Sequence, residues 1–146
     1  MILNKQDNIK KDANAINSNI NSFNKNYTFI KINNTTASVV LKAEVVNTEP
    51  SRALGLSDKL EMMEDEGMLF VFDNMGHYPF WMKDMHFAID MIWLDMNKEI
   101  VFIAKDVGPE SFPANFGGEE ESLYVLEVVS GFTNKYNLQI GDKLDF

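Results

Sequence analysis

Short apolar runs that are rich in β-branched and aromatic residues, and are separated by turn residues, recur from Tyr27 to the end of the chain. Such segments favour strands, because branched and ring side chains pack well on a pleated surface. The run GMLFVF (67–72) is apolar throughout, which is typical of a strand buried on both faces. This pattern restricts the chain to a fold built around a sheet.

The same pattern predicts eight strands and how they connect. They are YTFIKI (27–32), ASVVLKAEVV (37–46), GMLFVF (67–72), PFWMK (79–83), DMIWLDM (90–96), EIVFIA (99–104), LYVLEVV (123–129) and GDKLDF (141–146). Turn signals at residues 33–34, 73–76 and 97–98 separate several of them closely. Short turns join antiparallel neighbours, whereas parallel strands need long crossovers, so the sheet is expected to be mainly antiparallel.

Two short helices accompany these strands. Thr48 stands before Glu49-Pro50, and a threonine followed by an early proline is typical of a capped helix start. A second short helix is predicted from Gly131 to Asn137. The predicted fold class is therefore α+β and β-rich: a compact, mainly antiparallel sheet or barrel-like domain with two short helices.

The first 26 residues differ in composition from the rest of the chain. Residues 1–26 are rich in Asn and contain four Lys and two Asp, a net charge of +2. We expect them to form a flexible arm or spacer ahead of a single domain at residues 27–146. A docked amphipathic helix is the alternative, because the apolar residues keep heptad spacing. These residues are Ile9, Ala13, Ile16, Ile20 and Phe23.

Charge and residue usage exclude several classes of function. The net charge of -9 repels phosphate backbones, so nucleic acid is not an expected partner. The chain has no cysteine, and His77 and His86 lack the spacing of a zinc site, so we expect no metal and no cofactor. No apolar run reaches the roughly 18–20 residues of a membrane helix. Membrane contact is expected only through a leader or anchor that lies outside this sequence.

Charged residues in or beside the apolar runs are the candidate functional residues. They are Arg52, Lys83, Asp90 and Glu127, with Trp81 beside Lys83. An unpaired ion on an apolar face costs several kcal/mol, so each charge needs a partner or a wet pocket. Arg52 is the only arginine in the chain, and its planar group can clamp a carboxylate with two hydrogen bonds.

Three interpretations of these charges stay open. Arg52 can pair with Glu127 or Asp90 and pin a helix onto the sheet, or the charges can lie apart on solvated faces. Alternatively, all four charges and Trp81 line a ligand pocket. Trp81 itself is either a core residue or a surface on which a sugar ring or cation stacks.

Several segments resemble one protein family in their order and spacing. They are RALGL (52–56), GMLFVF (67–72), FWMK (80–83), IDMIWLD (89–95), YVLEVVSG (124–131) and IGD (140–142). The family is DUF192 (UPF0127, uncharacterised ACR), and the resemblance covers about residues 45–146. It implies a compact β-rich domain and no established reaction. Family members often carry an N-terminal signal or anchor, which implies a periplasmic or cell-surface location, with a cytoplasmic one left open.

The leading functional hypothesis is a module that binds a small polar ligand, such as a saccharide or envelope fragment, outside the cytoplasm. One alternative is a hydrolase-type enzyme that uses Asp90 and Glu127 as acid and base, and another is a protein-interaction domain. No catalytic residue is assigned. The long loop at residues 106–122 is expected to be a mobile rim of the cleft, with Phe112 and Phe116 as ligand covers or as plugs on the core.

Overall fold

The described part of the chain, residues 26–33 and 38–146 of the computed structural model, is organised around one curled sheet that forms a half-barrel. Within these residues the strands are β1 (Tyr27–Asn33), β2 (Ser38–Val46), β3 (Glu66–Gly76), β4 (Ile89–Leu94), β5 (Ile100–Val107), β6 (Ser122–Val129) and β7 (Leu144–Asp145). The helices are α1 (Glu49–Leu54), α2 (Phe132–Lys135) and a 3-10 turn at Pro109–Ser111. The β-rich fold class is confirmed.

The strand order in the sheet is β5-β4-β6-β3-β2-β1-β7. Every pair is antiparallel except β2 and β3, which run parallel from Lys42 opposite Glu66 to Val46 opposite Phe70. A parallel pair needs a crossover connection, and the segment that contains α1 supplies it. The topology thereby holds α1 close to the middle of the sheet.

Both faces of the sheet are covered, which explains the continuous apolar runs. Alternate residues of β6 point to opposite faces, as in any strand. Leu126 and Val128 belong to one buried cluster, which also contains Phe132 of α2. Val125 belongs to the other, which also contains Trp93. All six residues of β4 are buried for the same reason.

Helix α1 begins as the sequence predicts. The Thr48 hydroxyl accepts from the backbone N–H of Ser51 at 3.3 Å, and the Thr48 backbone N–H donates to the Ser51 hydroxyl at 3.0 Å. Pro50 lies in the first turn, where no N–H is needed. Gly55 follows the helix with φ +52, and a residue with a Cβ is strained there. These local contacts set the direction in which Arg52 leaves the helix.

The turn predicted at residues 73–76 is wrong, because β3 continues through it to Gly76. The register with β6 shifts between Val71 and Gly76, and Gly76 then lies opposite Ser122. A bulge of this kind lets a strand carry exposed polar residues without ending. The strand is therefore longer than its apolar part.

The strand predicted at residues 79–83 is also wrong. Only Phe80 makes a ladder contact, an isolated bridge to Phe116. The segment passes over one face of the sheet, where the indole N–H of Trp93 donates to the Tyr78 carbonyl at 2.8 Å. It contacts side chains and not a free strand edge, so this apolar segment does not extend a ladder beyond the single bridge.

The prediction of an arm or docked helix at residues 1–26 lies outside the described residues, apart from Asn26. Among the described residues, no helix combines the length and the apolar character that crossing a membrane requires.

Candidate functional site

A pocket of about 350 Å³ lies beside α1 and is also lined by β3, by the segment after β3 and by one residue of β6. Its aromatic walls are Phe70, Phe72, Tyr78, Phe80 and Trp81. Its charged lining residues are Glu49, Arg52, Lys83 and Glu127. The volume falls in the range of roughly 300–1,000 Å³ that small-molecule sites occupy. Four of the five predicted site residues therefore meet at one cavity.

The aromatic rings of the pocket hold one another in place. Phe72 stacks on Tyr78 with ring centroids 3.5 Å apart, and Phe70 meets Phe80 edge-on at 4.8 Å. The Tyr78 hydroxyl donates to the Asn74 carbonyl at 2.8 Å, which fixes the ring in its plane. Edge-on and stacked pairs of this kind stabilise a defined arrangement, so the walls are formed without a ligand.

Arg52 reaches from α1 across the edge of the pocket. Its Nη1 donates to the Val71 carbonyl at 2.9 Å, and its Cζ lies 5.1 Å from the ring centroid of Phe72. Within the described residues no ion pair joins Arg52 to Glu127 or to Asp90. The structural ion pair is therefore not formed. One hydrogen bond and one ring contact orient the guanidinium group and leave other N–H donors free.

Trp81 and Lys83 form the outer rim. Trp81 is 52% exposed, so it is not a core residue. The Lys83 Nζ lies 5.9 Å from the Trp81 ring centroid, within reach of a cation–π contact. Phe112 of the loop at residues 106–122 meets Trp81 at 5.7 Å, whereas Phe116 packs against the core cluster of Trp93.

Glu127 is the buried carboxyl of the pocket. The residue is 5% exposed, and its Oε2 has no hydrogen-bond partner. Its neighbours across the sheet are Met68 on β3 and Met91 on β4, which offer no charge and no donor side chain. Burial alone raises the pKa of Glu127 from its usual 4.5 to about 8. Near neutral pH the carboxyl is therefore mostly protonated, able to donate one hydrogen bond and to accept others.

Asp90 lies elsewhere and has a different environment. It is 0% exposed, and its two oxygens accept four hydrogen bonds. The donors are the backbone N–H groups of Asp106 at 2.8 Å, Gly131 at 3.3 Å and Thr133 at 2.9 Å, with the Thr133 hydroxyl at 2.6 Å. Asp90 thus ties β4 to the end of β5 and to the start of α2, and it does not line the pocket.

Asp90 and Glu127 point to opposite faces of the sheet. Residues directly opposite each other on antiparallel strands share a face. Asp90 lies opposite Val128, in the cluster beneath α2, whereas Glu127 lies opposite Met91, in the cluster beneath the pocket. The acid–base pair of the hydrolase hypothesis is therefore wrong, since the sheet separates the two carboxyl groups.

Apart from Trp81, the aromatic walls were not predicted from the sequence. Phe70 and Phe72 are two residues apart on β3, and this spacing places both side chains on one face. That signal was present in GMLFVF, but it did not indicate what the face would meet. No group of three or more His, Asp or Glu side chains that could hold a metal ion occurs in the part of the chain that the structure describes.

Comparison with known proteins gives a family match and similar solved structures. The profile of the DUF192 family, described as an uncharacterized ACR, matches residues 30–146. No curated protein matches the chain. A crystal structure of a protein of unknown function from Novosphingobium aromaticivorans DSM 12444 has a TM-score of 0.75 and 24% identity, with 82% of this chain and 85% of that chain covered. This likeness shows the fold alone.

A second crystal structure has a similar shape. It is a protein from Sinorhizobium meliloti 1021 that carries the provisional name of a transcription regulator. The TM-score is 0.78 at 25% identity, and the match covers 83% of this chain and 94% of that chain.

Proposed function

This chain belongs to the DUF192 family, whose function is unknown, and from that premise we propose that the domain is a binding module for a small polar ligand. The observation that carries the proposal is the unpartnered carboxyl of Glu127 in an aromatic-walled pocket. A buried polar group without a partner costs free energy of folding, and a ligand that supplies the partner recovers part of that cost. Apolar walls with a few converging polar groups are typical of ligand sites.

A saccharide or an envelope fragment has the chemistry that this lining favours. A sugar ring offers an apolar C–H face to Trp81 and the phenylalanine rings. Its hydroxyl groups can donate to and accept from Glu127, and they can accept from the guanidinium group of Arg52. The proposed location is the periplasm or cell surface, where envelope fragments occur. Fractionation of cells that express the tagged full-length protein tests it.

Other functions fit the pocket less well. Glycoside hydrolysis uses two carboxyl groups that face each other across the substrate. Asp90 does not face this cavity, and Glu49, the second carboxyl of the lining, is exposed on the first turn of α1. The name of the S. meliloti relative suggests nucleic acid, but a net charge of -9 disfavours contact with phosphate backbones. Binding without a reaction is therefore the function that we propose.

Titration calorimetry with a panel of mono- and disaccharides tests the proposal. We expect saturable binding that Trp81→Ala and Glu127→Leu each weaken by about tenfold or more, because the first removes the ring face and the second removes the hydrogen-bonding oxygens that would contact the ligand. The matched control is Phe29→Ala, since Phe29 is an exposed aromatic of β1 outside the pocket lining. A panel without any saturable binding, or equal weakening by the control, would contradict the proposal.

A further inference from the structure

We propose that the ligand is an acidic sugar, a uronic acid, whose carboxylate binds Arg52 and Lys83 while a ring hydroxyl binds Glu127. This inference rests on the proposed function and narrows its ligand class. It follows from the charges of the lining, from the prior orientation of Arg52 and from the position of the neutral carboxyl.

Two cations, Arg52 and Lys83, line the pocket of this acidic chain. The sequence holds 22 acidic residues against 13 Lys and Arg. Lys59 pairs with Glu44, and Lys135 pairs with Glu64. Within the described residues, neither of the two cations of the pocket forms an ion pair. Because both cations line one cavity, the lining favours a ligand that brings a negative charge.

Arg52 is already oriented to receive that charge. The Val71 carbonyl and the Phe72 ring hold the guanidinium group, so little rotational freedom remains to be lost on binding. A guanidinium group matches the two oxygens of a carboxylate with parallel hydrogen bonds. Lys83 lies at the rim, beside the Trp81 ring, and adds a second, more mobile charge.

Protonated Glu127 carries no charge, so it does not repel an anionic ligand. Burial raises the pKa of Glu127 to about 8, so near pH 7 the formal charges of the lining are those of Arg52, Lys83 and Glu49, a net of +1. Tyr78 is the other titratable group of the lining. From β3 and β4, the residues facing Glu127 across the ladder are methionines. A neutral carboxyl both donates and accepts, which is what a sugar hydroxyl requires.

Calorimetry with D-glucuronate, D-glucose and D-glucosamine on the full chain tests the inference. At pH 6.5 we expect glucuronate to bind at least about tenfold more tightly than glucose, and glucosamine to bind no better than glucose. Arg52→Gln and, separately, Lys83→Gln should reduce the preference for glucuronate. The matched control is Lys31→Gln, which removes an exposed cation of β1 outside the pocket and should leave the preference unchanged.

A pH series supplies a second readout. Glucuronate should bind about tenfold more weakly at pH 9 than at pH 7, because the ionised Glu127 then repels the ligand, and Glu127→Gln should abolish this dependence. Equal affinity for glucose and glucuronate would overturn the inference and leave the proposed function intact, as would a preference for glucosamine. If none of the three sugars binds, both the inference and the saccharide proposal are overturned.

Discussion

Two buried carboxyl groups, on neighbouring strands and on opposite faces of the sheet, differ in their hydrogen-bond partners. Asp90 of β4 accepts four hydrogen bonds, three of them from backbone N–H groups. Glu127 of β6 has an oxygen with no partner, beside a pocket. Burial is similar, so burial does not separate a carboxyl with hydrogen-bond partners from one without them. The convergence of donors does, because folding satisfies the first group and leaves an oxygen of the second without a partner.

The largest effect is expected from Asp90. Asp90→Ala removes the acceptor of four donors in a site with no solvent access, so it should lower the free energy of unfolding by about 3–5 kcal/mol. Urea denaturation measures this loss. Asp90→Asn is the control, because it keeps one acceptor oxygen and should cost less. A loss below about 1 kcal/mol for the alanine variant would show that the network does not hold α2 to the sheet.

Glu127 should instead make stability depend on pH. Because burial raises the pKa of Glu127 to about 8, the folded protein keeps a proton that the unfolded chain releases near 4.5. Stability from this group is complete below pH 4.5 and is lost as the pH rises toward 8.

The expected loss between pH 6 and 8 is about 2 kcal/mol, and Glu127→Gln should remove it. Urea denaturation of both proteins across this range measures the difference. Parallel pH profiles for the wild type and the variant would mean that Glu127 titrates as an ordinary carboxyl.

Arg52 tests whether the pocket charges also hold the fold. Arg52→Ala loses one hydrogen bond and one ring contact, so we expect a cost of about 1–2 kcal/mol. A double-mutant cycle of Arg52→Met with Glu127→Leu should give a coupling energy near zero, since no ion pair joins the two residues. A coupling energy above about 1 kcal/mol would show that Arg52 and Glu127 do form a structural ion pair.

The smallest effect on stability is expected at the rim. Trp81→Ala should change the free energy of unfolding by less than about 1 kcal/mol, because the side chain is half-exposed. Trp93→Ala is the matched comparison, and removal of that fully buried ring should cost about 3–5 kcal/mol. Thermal and urea unfolding of the two variants measure the contrast. Similar losses would place Trp81 in the core.

Elements specified by local sequence were predicted well. The β-branched residues of segments 37–46 and 123–129 predicted β2 and β6, and Thr48 predicted the start of α1. Backbone sterics and capping act over a few residues, so a single segment contains the whole signal. The strand prediction for residues 79–83 was wrong, although the residues are typical of a strand. A strand also needs a neighbouring strand edge that is free to pair, and only Phe80 makes such a contact.

For the site, the sequence by itself determined which charges fall in or beside the apolar runs. It therefore named Arg52, Lys83 and Glu127, which the structure brings to one pocket, but it also named Asp90, which the structure does not. Only the tertiary structure decided which carboxyl the backbone donors surround, since those of Asp90 come from 16, 41 and 43 residues away. The physical reason is that the hydrogen-bond partners of a buried charge come from the segments that pack around it. When those segments are distant in the chain, the residues next to the charge do not indicate them.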